Sequence, residues 1–126
     1  MSSTILLVTS HDRALRKPLL ESQGYKVEMI SSEAVADSLQ RARFDLVLIP
    51  TDDGVNATLA CCEQIKRIDS KICVGVIAQR AEYVPPHPAV DAVIRQQYSP
   101  EKFLATIRNL LDGSPLADSF SAGESE

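Results

Sequence analysis

The sequence predicts an α/β domain in which helices cover both faces of a parallel sheet. Strand-length apolar runs alternate five times with segments of helical periodicity, and this alternation is typical of parallel strands joined by crossover helices. Several of the runs are apolar throughout, as strands buried on both faces are. The length of 126 residues suits one such domain.

Five strands are predicted. The apolar run 46–49 is bounded by charge before it and by turn residues after it, and we expect it to be the central strand. Residues 25–30 alternate, with Val27 and Met29 on one face and charged residues on the other, which favours an edge of the sheet. The remaining strands are predicted at 5–8, 72–78 and 89–95.

Helices are predicted between the strands. Pro18 falls inside the first helix, where it removes a backbone hydrogen bond, so we expect a kink there. Gly24 is predicted just beyond the end of that helix, where a glycine is common. Ser31 or Ser32 is expected to cap the second helix. The third helix is expected to turn Leu59, Cys62, Ile65 and Ile68 inward.

The segment after the fourth strand and the segment after the fifth strand are expected to differ in helix content. Residues 84–88 read Val-Pro-Pro-His-Pro, and prolines at this density prevent a helix, so the fourth helix is predicted to be shortened, with His87 exposed. Ser99 and Pro100 form a strong start for the last helix, as N-cap and first helical residue. The domain is predicted to span 1–112, followed by a flexible tail or linker stub at 113–126.

Right-handed crossovers restrict these elements to few topologies. The prediction is a flavodoxin-like three-layer sandwich with a five-stranded parallel sheet in the order 2-1-3-4-5. Ligands of such sheets bind beyond the carboxyl ends of the strands. In this chain Pro50 stands at the carboxyl end of the third strand, and its side chain has no acidic, nucleophilic or metal-binding atom.

The composition excludes several classes of function. A net charge of −4 gives no broad attraction to nucleic acid or to anionic membranes, so neither is expected as a partner. No apolar run is long enough for a signal peptide or a membrane span, and we expect a cytoplasmic protein. Basic residues such as Lys66 are interpreted as solvated helix surface. Cys61, Cys62 and Cys73 form no ligand motif and are predicted to be reduced core residues, so no metal or cofactor is predicted.

Several segments of the chain resemble the receiver domains of two-component response regulators. They are 5–8, 20–27, 44–49 and 98–104, and the last is similar to the FSPEEL sequence that opens the family's final helix. The resemblance covers almost the whole chain. It implies the fold derived above and a role in signal transduction with a protein partner.

The resemblance also implies that the family's phosphorylation site is degenerate here. Receiver activity needs an acidic pair after the first strand, an Asp at the end of the third, a Thr or Ser after the fourth and a Lys after the fifth. No carboxylate for Mg²⁺ and no cation for a phosphoryl group stands at these positions. The resemblance thus implies a pseudo-receiver that is not an enzyme and acts by phosphorylation-independent protein–protein interaction. The positions fall in order on Thr9 and Ser10, Pro50, Ile77 and Gln96, and the family's aromatic switch position falls on Val93.

Two alternatives remain open at this stage. Asp52 and Asp53 are candidates for a non-standard phosphoryl or metal site with His11 and Asp12, although acids before a turn glycine are also explained by turn formation and helix capping. The emptied pocket is instead a candidate site for a small-molecule effector. The shortened fourth helix belongs to the face that the family uses for dimerisation, so the oligomeric state stays open.

Overall fold

Strands and helices alternate along the part of the chain that the structure describes. The computed structural model describes residues 3–9, 16–51, 54–79, 84 and 87–112. A 3₁₀ turn, Ser32–Ala34, precedes the second α-helix. The strands are β1 (Thr4–Val8), β2 (Lys26–Ile30), β3 (Leu46–Pro50), β4 (Cys73–Ala78) and β5 (Ala92–Arg95), and the α-helices are α1 (Arg16–Glu21), α2 (Val35–Arg41), α3 (Val55–Ile68) and α4 (Pro100–Asp112).

The five strands form one parallel sheet in the order β2-β1-β3-β4-β5, which confirms the flavodoxin-like topology. β3 is the central strand, and all five of its residues are buried. β2 lies at an edge, where Lys26 and Glu28 are exposed and Val27 and Met29 are half-buried, as the alternation predicted. Helices cover both faces of the sheet, so its inner strands are buried on both sides and consist of continuous apolar residues. The apolar runs therefore identified these strands correctly.

The apolar side chains form two clusters, one on each face of the sheet. The cluster on the first face, called the α3 face, joins α2 and α3 to alternate strand residues. The cluster on the second, called the α4 face, joins α1 and α4 to the other strand residues. The α3 face includes Leu6, Val35, Val47, Cys62, Ile65 and Val76, and the α4 face includes Leu7, Leu20, Leu48, Ile77, Phe103 and Ile107.

Local chemistry at two helix ends follows the prediction. Gly24, at the end of the turn that follows α1, has a φ of 91°, a left-handed conformation that glycine adopts without strain. Ser99 caps α4, because its Oγ accepts the N–H of Lys102 at 3.2 Å, and Pro100 is the first helical residue. The kink at Pro18 stays a prediction, since the turn preceding this part of α1 lies outside the described residues.

The start of α2 differs from the prediction, whereas the inward face of α3 agrees with it. The 3₁₀ turn leaves Ala34 as the N-cap of α2, without a side-chain cap, so the expected cap from Ser31 or Ser32 is wrong. The carbonyl of Ser31 instead accepts the N–H of Ala34 at 3.0 Å. On α3, Cys62 and Ile65 are fully buried and Leu59 packs, partly buried, against the same cluster, as predicted. Thr58 is buried as well, and its hydroxyl is bonded to backbone carbonyls.

The connection from β4 to β5 is non-helical at residues 79, 84 and 87–91, the part of it that the structure describes. β5 begins at Ala92, later than the predicted residue 89, because Ala89 belongs to a turn in which Val90 N–H donates to the carbonyl of His87 at 3.0 Å. Val84 and Ala89 are buried in the α3 face. The predicted tail at 113–126 lies outside the described residues, and the domain boundary at residue 112 stays a prediction.

Candidate functional site

The carboxyl ends of β3 and β4 meet in the middle of the sheet. Pro50 is the last residue of β3, and it is paired in register with Ile77 near the end of β4. Thr9 directly follows β1, and Gln96 directly follows β5. The structure therefore makes Pro50 and Ile77 neighbours and places Thr9 and Gln96 at the same edge of the sheet.

Pro50 closes the central strand with a buried apolar ring. Its carbonyl oxygen accepts a hydrogen bond from the Thr58 hydroxyl, with an Oγ1 to O distance of 3.2 Å. The next N–H, that of Thr51, donates to the carbonyl of Ile77 at 3.0 Å. Proline itself has no N–H and no side-chain oxygen, so position 50 supplies no group that a phosphoryl could join.

Ile77 and Gln96 complete the apolar and neutral character of this edge. The Ile77 side chain is fully buried in the α4 face together with Leu48 and Ile94. Hydrocarbon therefore fills the place of the hydroxyl that the resemblance assigns to position 77. Gln96 is exposed, its backbone N–H donates to the carbonyl of Ala78 at 2.9 Å, and its side-chain amide carries no charge.

The remaining positions of the predicted site add no acid within the described chain. Thr9 is half-buried, and its N–H donates to the carbonyl of Leu7 at 3.1 Å. Val93 is half-buried and packs against the α3 face, so an aliphatic side chain stands at the aromatic switch position. Ser10, the second member of the expected acidic pair, lies outside the described residues.

The alternative acidic site cannot be placed, because Asp52, Asp53, His11 and Asp12 all lie outside the described residues. Thr51 and Gly54, which flank the two aspartates in the turn before α3, are described. Gly54 has a φ of 103°, and its N–H donates to the carbonyl of Thr51 at 3.0 Å. A glycine is needed here because side chains rarely tolerate that backbone conformation.

Two kinds of feature are absent from the described ranges: a cluster of metal-ligating side chains and an unpaired buried polar atom. Over the described ranges, no three His, Cys, Asp or Glu side chains are grouped so as to hold a metal. Every buried side-chain nitrogen or oxygen in the same ranges has a hydrogen-bond partner. A search of the described helices also finds none with the length and hydrophobicity needed to cross a membrane.

The three cysteines are free thiols. Burial raises the pKa of the Cys61 thiol. Burial, with a smaller contribution from Cys61 and Asp91, raises the pKa of Cys62 to about 12, and burial followed by Asp91 raises the pKa of Cys73 to about 11. A protonated thiol is a poor nucleophile and a poor metal ligand. The prediction of core packing is confirmed for Cys61 and Cys62, while Cys73 is half-buried.

A polar network that the sequence did not reveal joins α3 to the β4–β5 connection. The Lys66 ammonium lies 2.8 Å from Asp91 Oδ2 and donates to the carbonyl of Ile72 at 2.7 Å. The same Asp91 carboxylate accepts the N–H of Val74 at 2.7 Å. Only 20% of the Lys66 side chain is exposed. The interpretation of Lys66 as solvated surface is therefore wrong, because its charge is engaged within the fold.

His87, on the same connection, is the second residue that differs from the prediction. Its Nε2 lies 2.9 Å from Glu63 Oε2 on α3, and its Nδ1 accepts the N–H of Ala89 at 3.0 Å. The predicted exposed histidine is wrong, since 21% of the side chain is accessible and both ring nitrogens have partners. The one signal in the sequence was His87-Pro88 itself, because an acceptor side chain followed by proline often opens a turn.

Comparisons with known proteins give structural neighbours alone, since no family model and no curated protein sequence matches the chain. A CheY-like receiver domain from Methanospirillum hungatei is 21% identical with a TM-score of 0.76, covering 90% of this chain and 96% of the other. The receiver domain of a sensor histidine kinase from Pseudomonas aeruginosa PAO1 is 14% identical with a TM-score of 0.77, covering 89% and 99%. A response regulator from Thermotoga maritima is 15% identical with a TM-score of 0.74, covering 89% and 99%. The chain therefore has the fold of a receiver domain.

Proposed function

We propose that this chain is a receiver-like signalling module that contacts a protein partner and is not switched by aspartyl phosphorylation. The observation that carries the proposal is the pairing of Pro50 with a fully buried Ile77 at the carboxyl ends of β3 and β4. In the proposal the module is cytoplasmic and is not itself an enzyme. Its net charge of −4 favours a protein partner over nucleic acid.

The charge pattern at the strand ends supports this proposal. The neighbouring receiver domain from Pseudomonas aeruginosa has a magnesium ion coordinated in its active-site cleft. Magnesium in proteins is octahedral and is usually bound through one or two carboxylates together with several waters, and the side chains of Thr9, Pro50 and Gln96 supply no carboxylate. Phosphoryl transfer also needs a positive charge on the developing oxyanion, and the amide of Gln96 supplies no charge.

The filled edge of the sheet also argues against a small effector seated on these side chains. Pro50 and Ile77 are buried, and the Thr58 hydroxyl is already bonded to the carbonyls of Pro50 and Gly54. A specific small-molecule site usually combines apolar walls with a few unpaired polar groups. The side chains at the ends of β3 and β4 are apolar but buried, and the Thr58 hydroxyl beside them is already paired.

The test is a magnesium titration with and without beryllofluoride, followed through backbone amide NMR shifts. We expect the amides of Thr9, Thr51 and Gln96 to keep their positions in both series, because no carboxylate stands at these positions to bind the ion. Saturable shifts at these amides would overturn the proposal. A folded magnesium-binding receiver domain measured in parallel shows that the reagents are active.

A second measurement isolates Asp52 and Asp53. The chain is incubated with a small phosphodonor and magnesium, and its mass is followed over time. We expect no mass increase. A magnesium-dependent increase that disappears in Asp52→Asn or Asp53→Asn would show phosphoryl acceptance at a shifted position and would replace the proposal with that chemistry.

A further inference from the structure

Two side chains of α3 hold the β4–β5 connection at two points. Glu63 contacts His87, and Lys66 contacts Asp91, so the two residues on the helix stand three apart and the two on the connection four apart. Side chains three apart on a helix are neighbours on one surface. The described part of the connection from His87 to Asp91 is therefore fastened along one stripe of α3.

The hydrogen bonds fix the state of the His87 ring. The N–H of Ala89 points to Nδ1 at 3.0 Å, a geometry that requires Nδ1 to act as the acceptor. In a neutral imidazole the proton then resides on Nε2, where it donates to Glu63 Oε2 at 2.9 Å. Each ring nitrogen thus has a different role, and only one of the two neutral tautomers satisfies both contacts.

The ring closes a turn whose tip is part of the core. The N–H of Val90 donates to the His87 carbonyl at 3.0 Å, and Pro88 occupies the second position of this turn. Proline favours that position because its φ is already correct. Ala89 is 6% exposed and packs in the α3 face. The bond from Ala89 to the ring therefore orients a buried residue.

We propose that His87 is a proton-sensitive clasp that positions the turn from His87 to Val90 against α3. Uptake of a second proton places a hydrogen on Nδ1, which then faces the Ala89 N–H as a second donor. The bond between the two is lost, and the turn from His87 to Val90 loosens from α3. The clasp is therefore closed while the ring is neutral and open once both ring nitrogens carry protons.

The contact with Glu63 does not cancel this effect. A charged ring attracts the Glu63 carboxylate more strongly, but 49% of that side chain is exposed and water screens the gain. The other charged residues on the packed elements within the described chain are Lys66 and Arg67 on α3 and Asp91 on the connection. Lys66 and Asp91 neutralise each other, and Arg67 is exposed. The lost bond belongs to Ala89, which is only 6% exposed, so its N–H has little access to solvent as a replacement partner.

The experiment follows the His87 ring nitrogens and the Ala89 amide by NMR across the titration of the ring. At alkaline pH we expect the proton on Nε2, and on acidification an upfield movement of the Ala89 amide proton with the same midpoint as the ring. A proton on Nδ1 at alkaline pH would overturn the proposal. So would an Ala89 amide that keeps its position while the ring titrates.

Three variants separate the two contacts. Asparagine places an acceptor where Nδ1 lies, so His87→Asn is expected to keep the Ala89 bond at every pH of the titration. Glutamine reaches toward Glu63 instead, so His87→Gln is expected to show the loosened amide position at every pH. His11→Asn removes the only other histidine of the chain and should titrate like the parent protein. An Ala89 transition that survives in His87→Asn, or disappears in His11→Asn, would refute the clasp.

Discussion

At the carboxyl ends of β3 and β4, apolar side chains fill the positions at which receiver domains are expected to carry polar groups, whereas charged side chains hold the connection that follows β4. Pro50 and Ile77 are buried and uncharged. On the connection, Asp91 and His87 are bound to Lys66 and Glu63 of α3. The two regions lie on successive parts of the same chain, yet they depend on different forces.

This difference predicts different responses to solution conditions. Contacts among buried hydrocarbon groups carry no charge, so pH and moderate salt leave them almost unchanged. Ion pairs at a partly exposed surface weaken as salt screens them, and a histidine contact changes with proton uptake. We therefore expect the strand ends to respond less to pH and salt than the contacts of His87 and Asp91 with α3.

The largest expected effect comes from putting a hydroxyl back at position 77. Ile77→Thr should lower the free energy of unfolding by about 2–4 kcal/mol, because it removes a buried methylene group and buries an unpaired hydroxyl. Urea unfolding measures the change. Ile77→Val is the matched control, since valine has the shape of threonine without the hydroxyl, and it should cost about 0.5–1.5 kcal/mol. Equal costs for the two variants would contradict the description of position 77 as a dry, apolar site.

The next effect tests the polar side of the comparison. Asp91→Ala should cost about 2–3 kcal/mol, because it leaves the Val74 N–H without its acceptor and Lys66 without its counter-ion. Asp91→Asn keeps an acceptor for Val74 and should cost less. Asp37→Ala is the control, since its pair with Arg41 is well exposed and is worth about 0.5 kcal/mol or less. A similar small cost for Asp91→Ala would show that the connection does not depend on this carboxylate.

Thr58 bonds the start of α3 to the end of β3, and α3 in turn holds His87 and Asp91. Removing its hydroxyl is expected to lower the free energy of unfolding by less than the two changes above. Thr58→Val keeps the shape and removes the hydroxyl that donates to the carbonyl of Pro50 or Gly54, at an expected cost of about 1–2 kcal/mol. Thr58→Ser keeps the hydroxyl, so it should retain the amide-exchange protection of Gly54 that valine loses. Equal protection in the two variants would mean that the hydroxyl does not order the turn before α3.

The parts of the fold that could be predicted are those determined by neighbouring residues. The run Leu46–Pro50 is continuous and apolar because its strand is covered on both faces, and the Ser99-Pro100 pair starts α4 through its own atoms. Gly24 ends α1 because its backbone conformation suits glycine. Each of these signals lies within a few residues of the structure that it specifies.

The parts that could not be predicted depend on residues far apart in the sequence. Lys66 and Asp91 are separated by 25 positions, and Glu63 and His87 by 24. Nothing near His87 indicates that α3 supplies its partner. Ala89 and Val90 have the apolar character of a strand, but the turn closed by His87 holds them outside β5. At the candidate site, the sequence placed Pro50 and Ile77 at the ends of their strands. That the two residues are paired across the sheet depends on the strand register, which the sequence does not give.

The smallest expected effect concerns the buried thiols on the alkaline side. Burial raises the pKa of Cys62 from 9.0 to about 12, so above pH 9 the unfolded chain releases a proton that the folded chain retains. The folded state then binds more protons, and its stability falls as pH rises from about 9 toward 12. The unfolding free energy, measured by urea under reducing conditions at about pH 8 and about pH 10, should therefore decline less in Cys62→Ala than in the parent protein, by roughly 1 kcal/mol. Lysine and tyrosine titration contributes equally to both proteins, so an identical decline would mean that the Cys62 thiol is accessible to water in the folded state.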